Sequence, residues 1–195
     1  MSLSARPAAE LPTDVVGTYL WFARAFDYPD PEIWDGLESP EGPVPPRTQA
    51  DREAEFLAAF EFGGEAPPVS PYEGFARPTD GREGILEDVL RFYGYFEVRL
   101  REDNRDYPDH LVTELEFLAF LTGRETEAVA HRADPEGYRR AARDFLDRHL
   151  LVWLPMFVER LDPTGTVYGP LGRELLAFVQ AHRAALSRGP EGDER

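Results

Sequence analysis

The run Tyr107-Pro108-Asp109-His110-Leu111-Val112-Thr113-Glu114-Leu115-Glu116-Phe117-Leu118-Ala119-Phe120-Leu121 constrains this chain more than any other stretch, because it joins a helix start signal to nearly unbroken apolar surface. Pro108 biases Tyr107 toward an extended backbone, and Asp109 can cap the free N–H groups of the turn that follows. The helix is therefore expected to open at Asp109. At roughly 100° per residue, Leu111, Leu115 and Leu118 fall on one line, with Phe117 and Leu121 to one side and Phe120 behind, so the helix is buried on most sides. His110 and Glu114 are four apart and share a face, and Glu114 falls between the lines of Leu118 and Leu121. A carboxylate there needs a partner, since burying it alone is costly or raises its pKa. His110, an arginine from elsewhere and a ligand are the candidates. A satisfied structural pair and a binding site for something cationic or polar both fit the spacing.

Further helical patterns surround this one. Thr13 can cap a helix from Asp14 to about Phe26, and Pro31 can open a short one carrying Ile33, Trp34 and Leu37. After the proline-rich loop Ser39 to Arg47, Thr48 starts a helix through about Phe60. The Gly/Pro-rich connection from Gly63 to Pro78 holds Tyr72 and Phe75, which are expected to pack it down. Asp80 and Glu83 resemble a capping box for a helix through Phe96. The polar segment Arg101 to Asp106 reads as a hinge, and Thr122-Gly123 is expected to end or bend the helix after it. Asp134-Pro135 opens a helix to about Leu151, Pro155 breaks the pattern before a short helix to Leu161, and a last helix runs from about Pro170 to Leu186. No alternating strand pattern appears. The expectation is an all-α, multi-helix domain over 13–186, of two packed helical lobes joined by a hinge near 101–110, with a flexible N-terminus (1–12) and a disordered tail (187–195).

Charge and composition narrow the function. A net charge of −16 argues against nucleic acid and for basic partners. The basic residues are all arginine, and there is no cysteine, which excludes disulfides, thiolate metal sites and a thiol nucleophile within this chain. No apolar run has the length of a signal peptide or a membrane span, so the protein is expected in the cytoplasm. Phosphate loops, nucleophile elbows and zinc-helix motifs are absent. No catalytic residue, cofactor or metal is expected. His110 and Glu114 could supply two metal ligands, but a competent site needs more. His149 reads as a satisfied core histidine, and Trp153, Phe157 and Tyr168 either belong to the core or line a groove for an apolar peptide.

Three ordered stretches bear a closer likeness. Pro108-Asp109-His110-Leu111 with Glu114-Leu115-Glu116-Phe117-Leu118 resembles the hinge signature of the TorD/DmsD/NarJ family of redox-enzyme maturation chaperones. Ile85 to Tyr93 before it, Phe145 to Phe157 after it, and Ser70-Pro71-Tyr72-Glu73 agree in order and distance, and resemble the branch serving dimethyl-sulfoxide-reductase-type molybdenum enzymes. The resemblance covers about residues 14 to 180. It implies an all-helical, cytoplasmic, non-enzymatic chaperone that binds the apo catalytic subunit of a molybdenum oxidoreductase, often through its twin-arginine signal peptide, until molybdopterin guanine dinucleotide is inserted. Family position implies Asp109 and His110 in signal-peptide recognition; charge and position extend this to Glu114, Tyr72 and Trp153. A monomer and a domain-swapped dimer are both open, as are two other readings: a helical metal-dependent hydrolase using His110 and Glu114, and a general helical adaptor.

Overall fold

The computed structural model describes residues 12–31, 47–64, 66–77, 81–100 and 107–188. The expected helix at Ile33 to Leu37, most of the Ser39 to Arg47 loop, the Asp80 cap, the Arg101 to Asp106 hinge and nearly all of both terminal segments lie outside them.

Among the described residues the regular structure is helical: α1 (Val15–Ala25), α2 (Gln49–Phe56), α3 (Glu73–Ala76), α4 (Arg82–Tyr95), α5 (Leu111–Ala130), α6 (Glu136–Phe145), α7 (Leu151–Leu161) and α8 (Tyr168–Ser187). Side-chain caps open α1 and α2. Asp14, rather than Thr13, caps α1, its carboxylate accepting from Gly17 N at 2.7 Å. Thr48 and Asp51 form a reciprocal capping box on α2. No helix is long and apolar enough to cross a membrane among the described residues.

α5 is the axis of the fold, with α1 packed along one side and α6 along another, while α7 lies against α8. Leu111, Leu115, Leu118 and Leu121 are fully buried, as a helix apolar on most sides requires. Phe117 reaches Tyr93 (ring centroids 4.6 Å apart) and Phe145 (5.0 Å), tying α4 and α6 to it. A second aromatic knot joins Phe26, Phe56, Phe60, Phe157 and Tyr168 from α1, α2, α7 and α8. Both knots belong to one continuous core running from Tyr19 to Leu186.

Several boundaries differ from expectation. α5 runs unbroken past Thr122-Gly123 to Ala130; the Thr122 and Thr126 hydroxyls bond back to Leu118 O and Thr122 O, and a lone mid-helix glycine costs only about 1 kcal/mol. Pro155 sits inside α7 without ending it. Upstream, residues Leu146–Leu150 form a π turn that makes α6 and α7 one continuous rod. Buried positions there recur every four residues, at Phe145, His149, Trp153, Phe157 and Leu161. Strict α geometry would drift about 40° per such step, and the wider turn absorbs part of that drift. A second π turn, Leu57–Glu61, extends α2. The last helix begins at Tyr168, two residues before Pro170, which falls in its first turn where a missing N–H costs nothing.

Candidate functional site: a clamped helix start over buried carboxyls

The start of α5 is fastened to the loop before α3 by an isolated antiparallel bridge between Tyr72 and His110. Glu73 N donates to Asp109 O (2.9 Å) and Leu111 N to Pro71 O (2.8 Å). The expected cap changes hands here. His110, in extended conformation (ψ 140°), is the N-cap of α5, its Nδ1 accepting from Val112 N at 3.3 Å. Asp109 instead turns to the other chain segment, its Oδ2 accepting from Gly74 N at 3.0 Å across 35 positions of sequence. Residues Tyr107 to His110 form a tight turn (His110 N to Tyr107 O, 3.0 Å) whose Pro108 carbonyl accepts from Tyr93 Oη, which aims the Asp109 side chain away from its own helix. Asp109 therefore caps α3, the short helix that faces it.

Beneath this clamp lies a group of buried ionisable side chains. Glu114 is fully buried and Trp153 Nε1 donates to its Oε2 at 3.1 Å, while Oε1 has no partner within hydrogen-bond geometry among the described residues. Burial pushes the Glu114 carboxyl well above the ordinary range; the charge of Glu73 adds to this, the Trp153 hydrogen bond opposes it, and Asp109 raises it further. The neutral form of Glu114 is thereby favoured beside Glu73. Glu73, also fully buried, pairs with Arg77 and with His149 Nδ1 at 2.9 Å, while His149 Nε2 meets Asp88 at 3.1 Å. His149 is a satisfied buried histidine, as its setting implied, and through two carboxylates it joins α3 and α4 to the rod of α6 and α7. Tyr93 is pushed up as well, by burial and by Glu114, Glu73 and Asp109.

Above the clamp the surface is aromatic. Phe75 and Tyr107 are 52% and 54% exposed, and Tyr72, half-buried, packs edge-on against His110 (4.8 Å), Phe75 and Tyr107. Arg82, the first residue of α4, lies among these rings, its guanidinium carbon 4.3 Å from the Phe75 centroid and 4.6 Å from that of Tyr107. The structure thus brings Asp109, His110 and Tyr72 together directly, and Glu114 with Trp153 one layer deeper. Trp153 is fully buried and lines no open groove. His110 and Glu114 point to different partners, and among the described residues no group of three or more His, Asp or Glu side chains is placed to hold a metal. Arg82, Glu73 and Tyr107 were not singled out as site residues from sequence. Glu73 and Tyr107 lay inside the quoted motifs, but nothing local to Arg82 marks it.

The family model described as "Nitrate reductase delta subunit" matches residues 24–159. The chain belongs to that family. It is 51% identical over 175 residues to the selenate reductase assembly chaperone protein of Thauera selenatis, covering 90% of this chain and 91% of the relative. It is 46% identical over 181 residues to the chlorate reductase assembly chaperone protein of Ideonella dechloratans, covering 92% and 93%. Chaperone protein TorD of Vibrio cholerae matches at 34% over about half of each chain. A crystal structure titled as a putative redox enzyme maturation protein from Archaeoglobus fulgidus shares the fold, at a TM-score of 0.55 and 16% identity, over 94% of this chain and all of that one. The relatives it resembles over nearly their whole length are assembly chaperones, not enzymes, which overturns the hydrolase alternative for His110 and Glu114.

Proposed function

We propose that the protein is the dedicated assembly chaperone of a dimethyl-sulfoxide-reductase-type molybdenum enzyme and that it holds the apo catalytic subunit, through a basic signal segment, until the molybdopterin guanine dinucleotide cofactor is inserted. Assembly chaperones of selenate and chlorate reductase among its relatives support the class of client. The observation that carries the binding site is the Asp109 carboxylate, buried beneath the exposed rings of Phe75 and Tyr107 in a chain of net charge −16. A twin-arginine peptide presents guanidinium groups followed by an apolar segment, and carboxylate below ring faces is the surface that receives them. His110, buried beside Asp109, backs the Tyr72 ring; Glu114 and Trp153 lie a layer deeper and support these groups without touching the client.

Calorimetry with a synthetic twin-arginine peptide from a candidate client tests this. Asp109→Asn keeps an acceptor for Gly74 N but removes the charge, and should weaken binding about tenfold or more, equal to about 1.4 kcal/mol or more. His110→Ala should weaken it as well. Equal affinity for parent and Asp109→Asn, with unchanged circular dichroism, sinks the reading.

A further inference from the structure

Arg82 is bound at the mouth of the site in an unsatisfied way. Its Nε lies 3.7 Å from Asp109 Oδ2, longer than the roughly 2.7–2.9 Å of a charge-assisted hydrogen bond, and that oxygen is already taken by Gly74 N. Among the described residues, Asp109 Oδ1 is buried with no hydrogen-bond partner, and Arg82 Nε and Nη2 are buried with no acceptor. As the first residue of α4, Arg82 also sets a cation at a helix N-terminus, the end that favours anions. Ring faces hold it in spite of this: Phe75 at 4.3 Å, Tyr107 at 4.6 Å and Tyr72 at 6.0 Å from the guanidinium carbon. Gly74 leaves room for its stem, since a Cβ there would collide with Arg82 Cγ. Cage and carboxylate together fit a planar guanidinium better than a compact, strongly hydrated ammonium.

We propose that the Tyr72, Phe75 and Tyr107 rings with Asp109 form a seat for one arginine side chain of the client, and that Arg82 is a resident stand-in which the client's arginine displaces. This rests on the signal-segment reading above and adds which part of the peptide binds and what it must evict. Displacement lets a new guanidinium approach both Asp109 oxygens, free of the geometry that α4 imposes on Arg82. A client arginine must compete with the resident, so apparent affinity is reduced by the fraction of time that the seat is free.

The test is Arg82→Ala in the full chain, probed with L-argininamide and L-lysinamide by thermal melting and calorimetry. Argininamide should bind Arg82→Ala about tenfold more tightly than the parent and stabilise it accordingly, lysinamide should do neither, and adding Asp109→Asn should abolish the effect. The twin-arginine peptide should bind Arg82→Ala about tenfold tighter if Arg82 fills the seat about nine-tenths of the time. Arg82→Gln, which keeps the stem and loses the charge, takes the place of Arg82→Ala should the latter fail to fold. Argininamide ignored by a folded variant, or matched by lysinamide, overturns the proposal. The argininamide arm needs no client. Argininamide bound with no peptide binding in any variant would leave the seat and remove the signal-segment reading. Peptide bound equally by parent and variant, with argininamide ignored, would do the reverse.

Discussion

Replacing Glu114 by glutamine should stabilise this protein at neutral pH, although Glu114 is fully buried and central to the site. The reason lies in its neighbours. The carboxyl loses its hydration and faces the charges of Glu73 and Asp109, and the Trp153 indole hydrogen bond offsets only part of this, so its folded-state pKa stands well above the ordinary 4.5. Between those two values the folded chain holds one proton more than the unfolded chain. The contribution of Glu114 to stability is therefore greatest below pH 4.5 and falls by about 1.4 kcal/mol for each pH unit crossed before Glu114 ionises. Glutamine keeps the oxygen that accepts from Trp153 and offers Glu73 an N–H without any proton to lose. In urea unfolding at several pH values, the parent-minus-variant stability difference should move against the parent with that slope, whatever other groups titrate in both. Glu114→Ala is the control: it leaves Trp153 Nε1 without an acceptor and opens a void, and should cost about 2–4 kcal/mol at every pH. A flat difference curve, or a glutamine variant as unstable as the alanine one, would refute this account of the buried acid.

His182 titrates with the opposite sign. Burial, with the charge of Arg139, lowers its pKa from 6.5 to about 4, so the stability it confers is present above pH 6.5 and is lost as pH falls through 4. The parent's advantage over His182→Gln should shrink by about 3 kcal/mol across that window in matched urea titrations. Gly74→Ala should cost about 1–3 kcal/mol, because the new Cβ collides with Arg82 Cγ and lies 2.9 Å from Asp109 Oδ2. Much of that cost should vanish in the Arg82→Ala background; equal cost in both, by thermal melting, would mean that the stem of Arg82 is not what fills the space.

The helices were legible because burial follows a 3.6-residue period that Leu111 through Leu121 and Leu171 through Val179 display openly. Proline and glycine signals were less reliable, as Pro155 and Gly123 show, since a well-packed rod outweighs one weak position. The four-residue recurrence from Phe145 to Leu161 could have announced the π turn, because α geometry alone does not keep such positions on one face. Asp109 and His110 were marked by motif, but their partners were not. Gly74, Glu73 and Arg82 reach the α5 start through a bridge and an ion pair between distant parts of the chain, and His149 meets Glu73 across 76 positions. Side-chain pairing at that distance leaves no periodic trace. The same limit explains why Glu114 was expected to meet His110, an arginine or a ligand, and accepts from Trp153 instead.

The Tyr72–His110 bridge has a consequence for assembly. It connects the chain before the segment 101–106 with the chain after it, and so do the Asp109–Gly74, Asp109–Arg82, His149–Glu73 and His149–Asp88 contacts. Were two copies to exchange halves at that segment, each of these contacts would become intermolecular. Every client seat would then have its rings Tyr72 and Phe75 from one polypeptide and its carboxylate from another, so that a dimer of this kind would carry two composite sites and neither molecule would own one.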